Sequence, residues 1–521
     1  MAQQITKRKV TPTYKQMAFE TAVRNPERYK SILTAIVPFV NKILDDAQLL
    51  KLVSSLYLGG IVSSDGVEIN EDSTIDSISD SIISVNSTRK ADGGFPEGYQ
   101  SRFWTYMRTL SELGFVYARY GEHLKLSKIA LMLINNEIDE QEAFSLQAMK
   151  YNRKSPYRNI LNDFNYFNFI LEVLKQRGRI SYEQFIISTF CKDGDINDFL
   201  SIIDNNTFGD LRDVEKFVRK EYGTTLQAQT ILRDYPDVVL RLLIITGFVS
   251  IQFRGKVFIY RNIANDEYIN DLLNLKIELS VEEKSNTELH FNKLETHNKT
   301  LLKIVFKHRA EIPETDGFEY VKKVGQIIAL YELSEDTVIE SIKHIGTSKN
   351  VIPAFKYIAE PLKLEFFLSL ILAIKYGKEF AVKPNYKSDY MGLPISHAPG
   401  FKGDIEVYST KLYWLIEVTL IRNKTQQLNS ETTSVIRHFL EDNKVNQYFS
   451  KYLSFVAPVI HTDTKDYFDY AVVRHRIKER NFNLKPYSIS EFVAITLAKQ
   501  NFEDMEDYST QVINDFKKNF N

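Results

Sequence analysis

One acidic residue inside an otherwise apolar run constrains this chain more than any other feature. The run Tyr413–Leu420 (YWLIEVTL) is almost wholly apolar, which is typical of a strand in the middle of a sheet, and Glu417 lies within it. A buried carboxylate without a partner is strongly destabilising, so Glu417 must face a cation or hydrogen-bond donors. A structural salt bridge and a bound metal ion are the two candidate arrangements.

A second acid lies at a suitable distance along the chain. Asp404 begins the preceding β run, Asp404–Tyr408, thirteen residues before Glu417. If the two runs pair as a hairpin, both carboxylates converge at one edge of a sheet. Carboxylate oxygens suit a hard cation such as Mg²⁺, which can supply the Lewis acid and the activated water for phosphodiester hydrolysis. The pair favours the metal interpretation, with the Val418 carbonyl as a candidate third ligand.

Length and composition predict a folded protein of several domains. A chain of 521 residues favours two to four domains, and 44% hydrophobic residues suffice for several cores. The single Cys191 disfavours disulfides and a cysteine-based zinc site, and fits a reducing cytoplasm. The N-terminus lacks the apolar region of a signal peptide, and the longest apolar stretch, Leu364–Ile374, is too short to span a membrane. We therefore expect a cytoplasmic protein with no membrane partner.

The net charge counts mildly against a non-specific nucleic-acid binder. Its value is −1, from 66 basic and 67 acidic residues, whereas such binders are usually far more basic. A specific binder needs only a local basic surface, so DNA binding stays open.

A polar stretch near the middle predicts the main domain boundary. Val281–Thr300 has apolar residues only at wide spacing, which favours a linker. The predicted division is residues 1–280, a linker at 281–300, and residues 301–521. The first part is expected to contain two subdomains.

Two stretches of the first half show a helix followed by a short β pair. Helix Tyr106–Gly114 precedes a hairpin that ends at Leu126, and helix Val238–Ile245 precedes one that turns at Arg254 and Lys256. A helix followed by a two-stranded wing is typical of a winged-helix module, in which the wing touches phosphate. Arg254 and Lys256 are therefore predicted DNA contacts. A small α+β domain that does not bind DNA is the alternative.

A dense basic cluster with interleaved tyrosines, KYNRKSPYR, spans Lys150–Arg158. Phosphate contact is the functional interpretation of this cluster. The predicted DNA-binding residues in it are Lys150, Arg153, Lys154 and Arg158. For the shorter basic run Lys175–Arg179, stabilisation of a helix end is the favoured interpretation.

The second half alternates helices and strands, which predicts an α/β domain. Pro361–Tyr376 begins with Pro and is followed by Gly, as expected of a helix. The two acid-bearing β runs come next, then a helix at Val435–Leu440 and a buried strand at Leu453–Ile460. The predicted fold class is multidomain, with a mainly helical N-terminal half containing winged-helix-like modules and a C-terminal α/β half.

The ordered acids of the second half resemble the PD-(D/E)xK nuclease superfamily, with Gly403-Asp404 in place of Pro-Asp and Glu417-Val418-Thr419 in place of E-x-K. More narrowly, the chain resembles the type IIS restriction endonucleases of the AlwI family and nicking relatives such as BstNBI. The segment FSLQAMKYNRKSPYRNILNDFNYFNFILEVL is similar to the recognition half of that family, and the resemblance covers about residues 120–470. It implies catalytic roles for Glu365, Asp404, Glu417, Glu431 and His438.

The resemblance implies a Mg²⁺-dependent DNA endonuclease, with Mn²⁺ able to substitute, that recognises a short asymmetric site and cuts a few base pairs away. Residues 301–521 would contain the PD-(D/E)xK core and cut the DNA, and the first half would recognise the DNA site.

One position departs from the superfamily pattern. Thr419 occupies the place of the lysine that orients the attacking water. Glu431 or His438 is the candidate substitute, since either can accept a proton, although His438 also suits a helix surface. Lys424 is disfavoured because it follows the end of the strand. For Glu365, pairing with the helix dipole is the alternative.

The expected partner is double-stranded DNA. One chain carries one such site and cuts one strand, so cutting both requires a homodimer or a separate smaller nuclease subunit. A restriction system also implies a cognate methyltransferase. Two other functions stay open: a winged-helix DNA-binding regulator without catalysis, and a repair or transposon-type nuclease without sequence preference.

Overall fold

The computed structural model describes residues 11–62, 66–70, 73–91, 98–311, 317–347, 349–398, 402–422, 424, 427–441, 445–476, 478–479 and 481–520. The chain divides into two compact units, Met1–Glu311 and Ile312–Asn521. Each unit has its own sheet and its own buried core.

The segment predicted as a linker, residues 281–300, is folded as part of the first unit, so this prediction is corrected. Asn286 accepts hydrogen bonds from two backbone amides and begins a helix at Thr287. The widely spaced apolar residues, including Phe291 and Leu294, form the buried stripe of that helix. A short amphipathic helix resembles a connection in sequence because most of its residues are polar.

The first unit is mainly helical. Its helices are α1 (Arg28–Ile36), α2 (Asp46–Leu58), α3 (Ile75–Ala91), α4 (Gly98–Glu112), α5 (Lys128–Ile134), α6 (Glu140–Lys150), α7 (Tyr166–Arg177), α8 (Tyr182–Ser188), α9 (Ile196–Asn205), α10 (Leu211–Tyr222), α11 (Tyr235–Ile245), α12 (Asp266–Leu273), α13 (Thr287–Thr296) and α14 (Asn298–Glu311). Its strands are β1 (Val116–Tyr117), β2 (Lys125–Leu126), β3 (Arg179–Ser181), β4 (Val249–Phe253) and β5 (Val257–Arg261).

Side-chain caps explain where several of these helices begin. Asp139 and Glu142 form a capping box at the start of α6, and Ser181 and Gln184 form another at the start of α8. Each cap satisfies backbone amides that the first helical turn leaves unpaired, which stabilises a helix by about 1 kcal/mol.

Both predicted helix-and-hairpin pairs form. Helix α4 is followed by the antiparallel pair β1–β2, and α11 by the antiparallel pair β4–β5. Strand β3 adds to the second hairpin, which gives the strand order β3-β5-β4. Along the chain the elements of this second module run α7, β3, α8, then α9 and α10, then α11, β4 and β5.

The second unit alternates helices and strands, as predicted. Its helices are α15 (Gly317–Tyr331), α16 (Glu335–Lys343), α17 (Glu360–Tyr376), α18 (Thr433–Glu441), α19 (Thr462–Arg476), α20 (Ile489–Ala498) and α21 (Asn501–Phe520). Its strands are β6 (Ala381–Pro384), β7 (Lys387–Ser388), β8 (Pro394–Ser396), β9 (Ile405–Tyr408), β10 (Leu412–Val418), β11 (Ser450–Ala457) and β12 (Phe482–Ser488).

Within the described residues, five strands of the second unit form one mixed sheet in the order β12-β11-β10-β9-β6. The pairs β6–β9 and β9–β10 are antiparallel, whereas β10–β11 and β11–β12 are parallel. The central position of β10 agrees with the strand predicted from its nearly continuous apolar run.

Helices cover both faces of this sheet. On one face, Tyr413 and Leu415 of β10 pack in a core with Phe439 of α18 and Phe468 of α19. On the other face, the buried Trp414 packs against Tyr376 at the end of α17, with ring centroids 5.9 Å apart. The result is an α/β layer arrangement around one sheet. No helix in the described ranges is long and apolar enough to cross a membrane.

Candidate active site

Asp404 and Glu417 lie side by side on one face of the central sheet. In the β9–β10 hairpin, Glu406 pairs with Leu415 and Ile405 with Ile416. Continuing this antiparallel register by one residue places Asp404 opposite Glu417, and paired residues of antiparallel strands share a face. The two acids therefore converge at the edge where β9 begins and β10 ends.

A hydrogen bond between the two strands orients the first of these acids. The backbone N–H of Val418 donates to Asp404 Oδ2 over 2.8 Å. A carboxylate that accepts a backbone amide is held in one orientation relative to the neighbouring strand. The residue that follows Glu417 therefore fixes where the Asp404 carboxylate lies.

Gly403 gives the Glu417 carboxylate its space. A Cβ atom at position 403 would lie 2.8 Å from Glu417 Oε1 and 2.2 Å from Leu415 Cδ1. A side chain at position 403 would force both neighbours to shift, which favours glycine here. The Glu417 carboxylate lies against the backbone immediately before Asp404.

Glu365 lies in the second turn of α17, which begins at Glu360, and the influence of the helix dipole is confined to the first turn. Its Oε1 is 2.6 Å from Nδ1 of His397, and its Oε2 is buried without a hydrogen-bond partner among the described residues. The side chain is only 3% exposed. Interaction with the helix dipole therefore does not account for Glu365. Sequence reasoning misses His397 because the residues around it have no periodic pattern.

Thr419, at the place of the missing lysine, and Lys424, the disfavoured substitute, have separate environments. The hydroxyl of Thr419 accepts from the Ile421 N–H at 3.2 Å. Lys424 Nζ is 3.1 Å from Asp463 Oδ2, at the start of α19. Lys424 is thus directed to a neighbouring helix, which agrees with the sequence argument against it.

Glu431 and His438 lie on the segment that follows β10. Glu431 is in a π-helical turn, Gln427–Thr432, and His438 is in α18. Their side chains lie outside the described residues, so their catalytic roles stay predictions. The buried Gln427 anchors the turn, because its Nε2 donates to Val459 O at 2.8 Å and its Oε1 accepts from Thr464 Oγ1 at 2.8 Å.

The donor set suits a hard cation. The Val418 amide ties Asp404 to the strand that carries Glu417, so two carboxylates lie near this edge of the sheet. Mg²⁺ prefers such oxygens and retains several waters, so it does not need a cage of protein side chains. Among the described residues, no group of three or more His, Cys, Asp or Glu side chains is placed to hold a metal ion. Two carboxylates with a backbone carbonyl are compatible with that finding.

In the first unit, two of the predicted DNA contacts are buried, and this prediction is corrected. Lys150 and Arg153 are each 1% exposed. Lys150 Nζ donates to Asn298 Oδ1 at 2.7 Å, and Arg153 Nη1 donates to the Cys191 carbonyl at 2.8 Å. Burial lowers the pKa of Lys150 to about 7. These cations bind internal acceptors, so the polar sequence of the cluster does not indicate a surface.

The other two members of the cluster differ from each other. Arg158 Nε donates to Oε1 of the buried Glu112 at 2.8 Å, which makes it a structural ion pair. Lys154 is half-buried, and its DNA contact stays a prediction.

The hairpin β4–β5 carries a strip of exposed cations beside half-buried aromatic rings. Arg254 and Lys256 are exposed at its turn. The Arg179 guanidinium lies 4.7 Å from the centroid of the Phe258 ring, and its Nη1 donates to Tyr260 Oη at 3.0 Å. The sequence alone favours a helix end for Arg179, and only the pairing of β3 with β5 places it beside the hairpin.

The profile of one protein family matches most of the chain. The family profile of the AlwI restriction endonuclease matches residues 111–360 and 314–495. Comparison with curated protein sequences gives no match.

Three solved structures are similar to parts of the chain. The BpuJ1 endonuclease binding domain in complex with modified DNA is 12% identical, covers 55% of this chain and 95% of its own, and has a TM-score of 0.32. FokI bound to DNA is 12% identical over 94% of this chain and 97% of its own, with a TM-score of 0.23. The small subunit of the heterodimeric restriction endonuclease R.BspD6I is 18% identical over 36% of this chain and 99% of its own, with a TM-score of 0.26.

The family match spans most of the chain and includes residues 111–311 of the first unit and the five-stranded sheet of the second unit. The protein therefore belongs to the AlwI restriction endonuclease family and is a site-specific deoxyribonuclease.

Proposed function

We propose that the enzyme is a Mg²⁺-dependent type IIS endonuclease with a PD-(D/E)xK core in its second unit. The observation that supports the proposal is the hydrogen bond from the Val418 N–H to Asp404 Oδ2 at 2.8 Å, which ties Asp404, just before β9, to the residue that follows Glu417 on β10. In this proposal the first unit recognises a short asymmetric DNA site, and the second unit hydrolyses a phosphodiester bond a few base pairs away.

Asp404, Glu417 and the Val418 carbonyl would hold Mg²⁺, and Mn²⁺ has the oxygen affinity to replace it. When bound, the ion supplies a Lewis acid for the scissile phosphate and lowers the pKa of the attacking water. The chain's own contribution is to orient the carboxylates. The Val418 amide holds Asp404, and the absence of a side chain at Gly403 leaves room for Glu417.

A proton acceptor must lie near the attacking water, because Thr419 replaces the lysine of the superfamily pattern. Glu431 and His438 are the candidates, and both are carried by the segment that Gln427 anchors after β10. Either side chain could accept the proton of the nucleophilic water. In-line attack would then leave a 5′-phosphate and a 3′-hydroxyl.

For recognition, we propose that α7, β3, α8, α11, β4 and β5 form a winged-helix-like module. The order β3-β5-β4, with the hairpin as wing, supports this assignment. Arg254 and Lys256 at the hairpin turn, with Arg179 beside it, would contact the phosphate backbone.

One chain contains one such site and would cut one strand. Cleavage of both strands would need a second copy of this chain or a smaller nuclease subunit, and a cognate methyltransferase would protect the host site. Without a second nuclease domain the enzyme would be a strand-specific nickase.

Supercoiled plasmid cleavage tests the proposal directly. With Mg²⁺ we expect nicked circles or discrete fragments, and with EDTA we expect intact plasmid. Run-off sequencing of the products then gives the site, the offset and the number of strands cut. Glu417→Ala should abolish cleavage while site-specific binding in Ca²⁺ persists. Cleavage by that variant at the wild-type rate would overturn the assignment of the site.

A further inference from the structure

Asn385 donates three hydrogen bonds to the segment that carries Asp404. This residue directly follows β6 at the edge of the sheet. Its backbone N–H donates to the Asp404 carbonyl at 2.8 Å, and its Nδ2 donates to the Gly403 carbonyl at 2.7 Å. The same Nδ2 donates to Glu406 Oε1 at 2.9 Å. All three N–H bonds of Asn385 therefore donate to residues 403–406.

These bonds are sheltered from water. Asn385 is 8% exposed and Glu406 is 6% exposed. In such surroundings a hydrogen bond to a carboxylate is stronger than at the surface, so the loss of this donor is costly.

The position of Asn385 relates it to the site. Strand β6 pairs with β9 so that Pro384 lies opposite Ile405. Continuing that register places Asn385 opposite Asp404, which lies opposite Glu417. The three residues form one row across three strands, on one face of the sheet.

We infer that Asn385 is a positioning residue for the active site, which acts by holding the Gly403-Asp404 backbone while Val418 holds the Asp404 carboxylate. The inference rests on the proposed function. Asp404 is thereby fixed from both neighbouring strands, by Asn385 at its carbonyl and by Val418 at its side chain. Catalytic groups need placement within about 0.5 Å, so loosening one side should lower the rate more than the stability.

The test uses four variants of the full-length enzyme: Asn385→Ala, Asn385→Asp, Glu406→Gln and the double variant Asn385→Asp/Glu406→Gln. For Asn385→Ala we expect kcat to fall by about 10–100-fold, as for residues that orient metal ligands. The KM for DNA should stay unchanged, and half-maximal cleavage should require more Mg²⁺. Binding of site DNA in Ca²⁺ should match the wild type.

The substitutions Asn385→Asp and Glu406→Gln exchange the donor and the acceptor of the hydrogen bond between these two side chains. In Asn385→Asp, a carboxylate replaces the donor to Glu406, so kcat should fall as it does in Asn385→Ala. In the double variant, the amide introduced at position 406 can donate to the carboxylate introduced at position 385, so part of the lost kcat should return at neutral pH. A merely structural role would not give this rescue of kcat.

Asn483 provides the matched control, because it is also a buried asparagine on this sheet but belongs to β12 at the opposite edge. Asn483→Ala should lower the melting temperature without changing kcat or the Mg²⁺ requirement.

Failure of the proposed function can be distinguished from failure of the positioning role of Asn385. If Asp404→Asn and Glu417→Ala still cut, the proposed function fails. If those two are inactive while Asn385→Ala and Asn385→Asp keep the wild-type kcat and Mg²⁺ dependence, only the positioning role is overturned. If Asn385→Ala does not fold, the rescue of Asn385→Asp by the double variant decides, and its absence overturns the inference.

Discussion

Val418 donates its backbone N–H to Asp404 Oδ2 across 2.8 Å, so the strand that carries one acid directly orients the other. The two carboxylates are consequently brought together by the pairing of β9 with β10, before any ligand is present. Placing two like charges side by side is destabilising unless a cation or donors compensate. The Val418 amide is one such donor, and a cation bound between the two acids would stabilise them further.

Asp404→Asn should separate the effect of this carboxylate on cleavage from its effect on stability. The asparagine Oδ1 can still accept from Val418, so the hairpin is retained while one negative charge beside Glu417 is lost. We expect cleavage to fall by at least about 100-fold, since even residues that only support metal ligands contribute about 10–100-fold. The melting temperature should stay equal or rise. Plasmid cleavage and thermal unfolding measure the two quantities, and a near-wild-type rate would contradict the role of Asp404.

Much of the second unit could be predicted from local patterns. The apolar run of β10, the alternation in β9 and the glycine and proline at the ends of α17 each follow from short stretches of sequence. The Asp404–Glu417 pair was predictable because both acids lie on adjacent strands of one hairpin, where spacing alone determines which residues meet.

Contacts between distant segments were not predictable. Asn385 meets Gly403 and Glu406 only because β6 pairs with β9, and His397 meets Glu365 over a separation of 32 residues. Burial of charge was not predictable either. A basic cluster looks the same in sequence whether its cations face water or internal carbonyls, and Lys150 and Arg153 face internal acceptors.

Gly403→Ala should damage the site through its packing. The added Cβ would lie 2.2 Å from Leu415 Cδ1 and 2.8 Å from Glu417 Oε1, so both must shift. We expect a destabilisation of about 1–3 kcal/mol from overpacking and a marked loss of cleavage. Gly325→Ala is the control, because a Cβ there meets nothing within 4 Å and the residue is in helix α15. It should stabilise the protein by up to about 1 kcal/mol and leave cleavage unchanged.

Neutralising the hairpin strip should weaken DNA binding without affecting the chemical step. In the triple variant Arg179→Ala/Arg254→Ala/Lys256→Ala, we expect a lower affinity. The dependence of log K on log salt should also become smaller, by about one unit for each phosphate that is no longer neutralised. The rate at saturating DNA should be retained. Binding titrations at several salt concentrations give the slope, with exposed Lys51→Ala as control. An unchanged slope would show that the strip does not bind phosphate.

Lys150 should make the stability of the protein depend on pH. Burial lowers its pKa in the folded chain to about 7, below the value of about 10.4 for an unfolded lysine. Between those values the unfolded state binds more protons than the folded state, so the free energy of unfolding should rise as the pH rises from about 7 to about 10.

Lys150→Met should flatten that rise, because the titrating group is removed while the volume is nearly kept. At neutral pH the change should be small, since the loss of the hydrogen bond to Asn298 Oδ1 offsets the relief of a buried ammonium. Urea unfolding at a series of pH values measures the slope. The same substitution at exposed Lys175 should leave it unchanged. Equal slopes for Lys150→Met and the wild type would mean that the buried ammonium does not titrate in this range, and that the pH dependence of stability arises elsewhere.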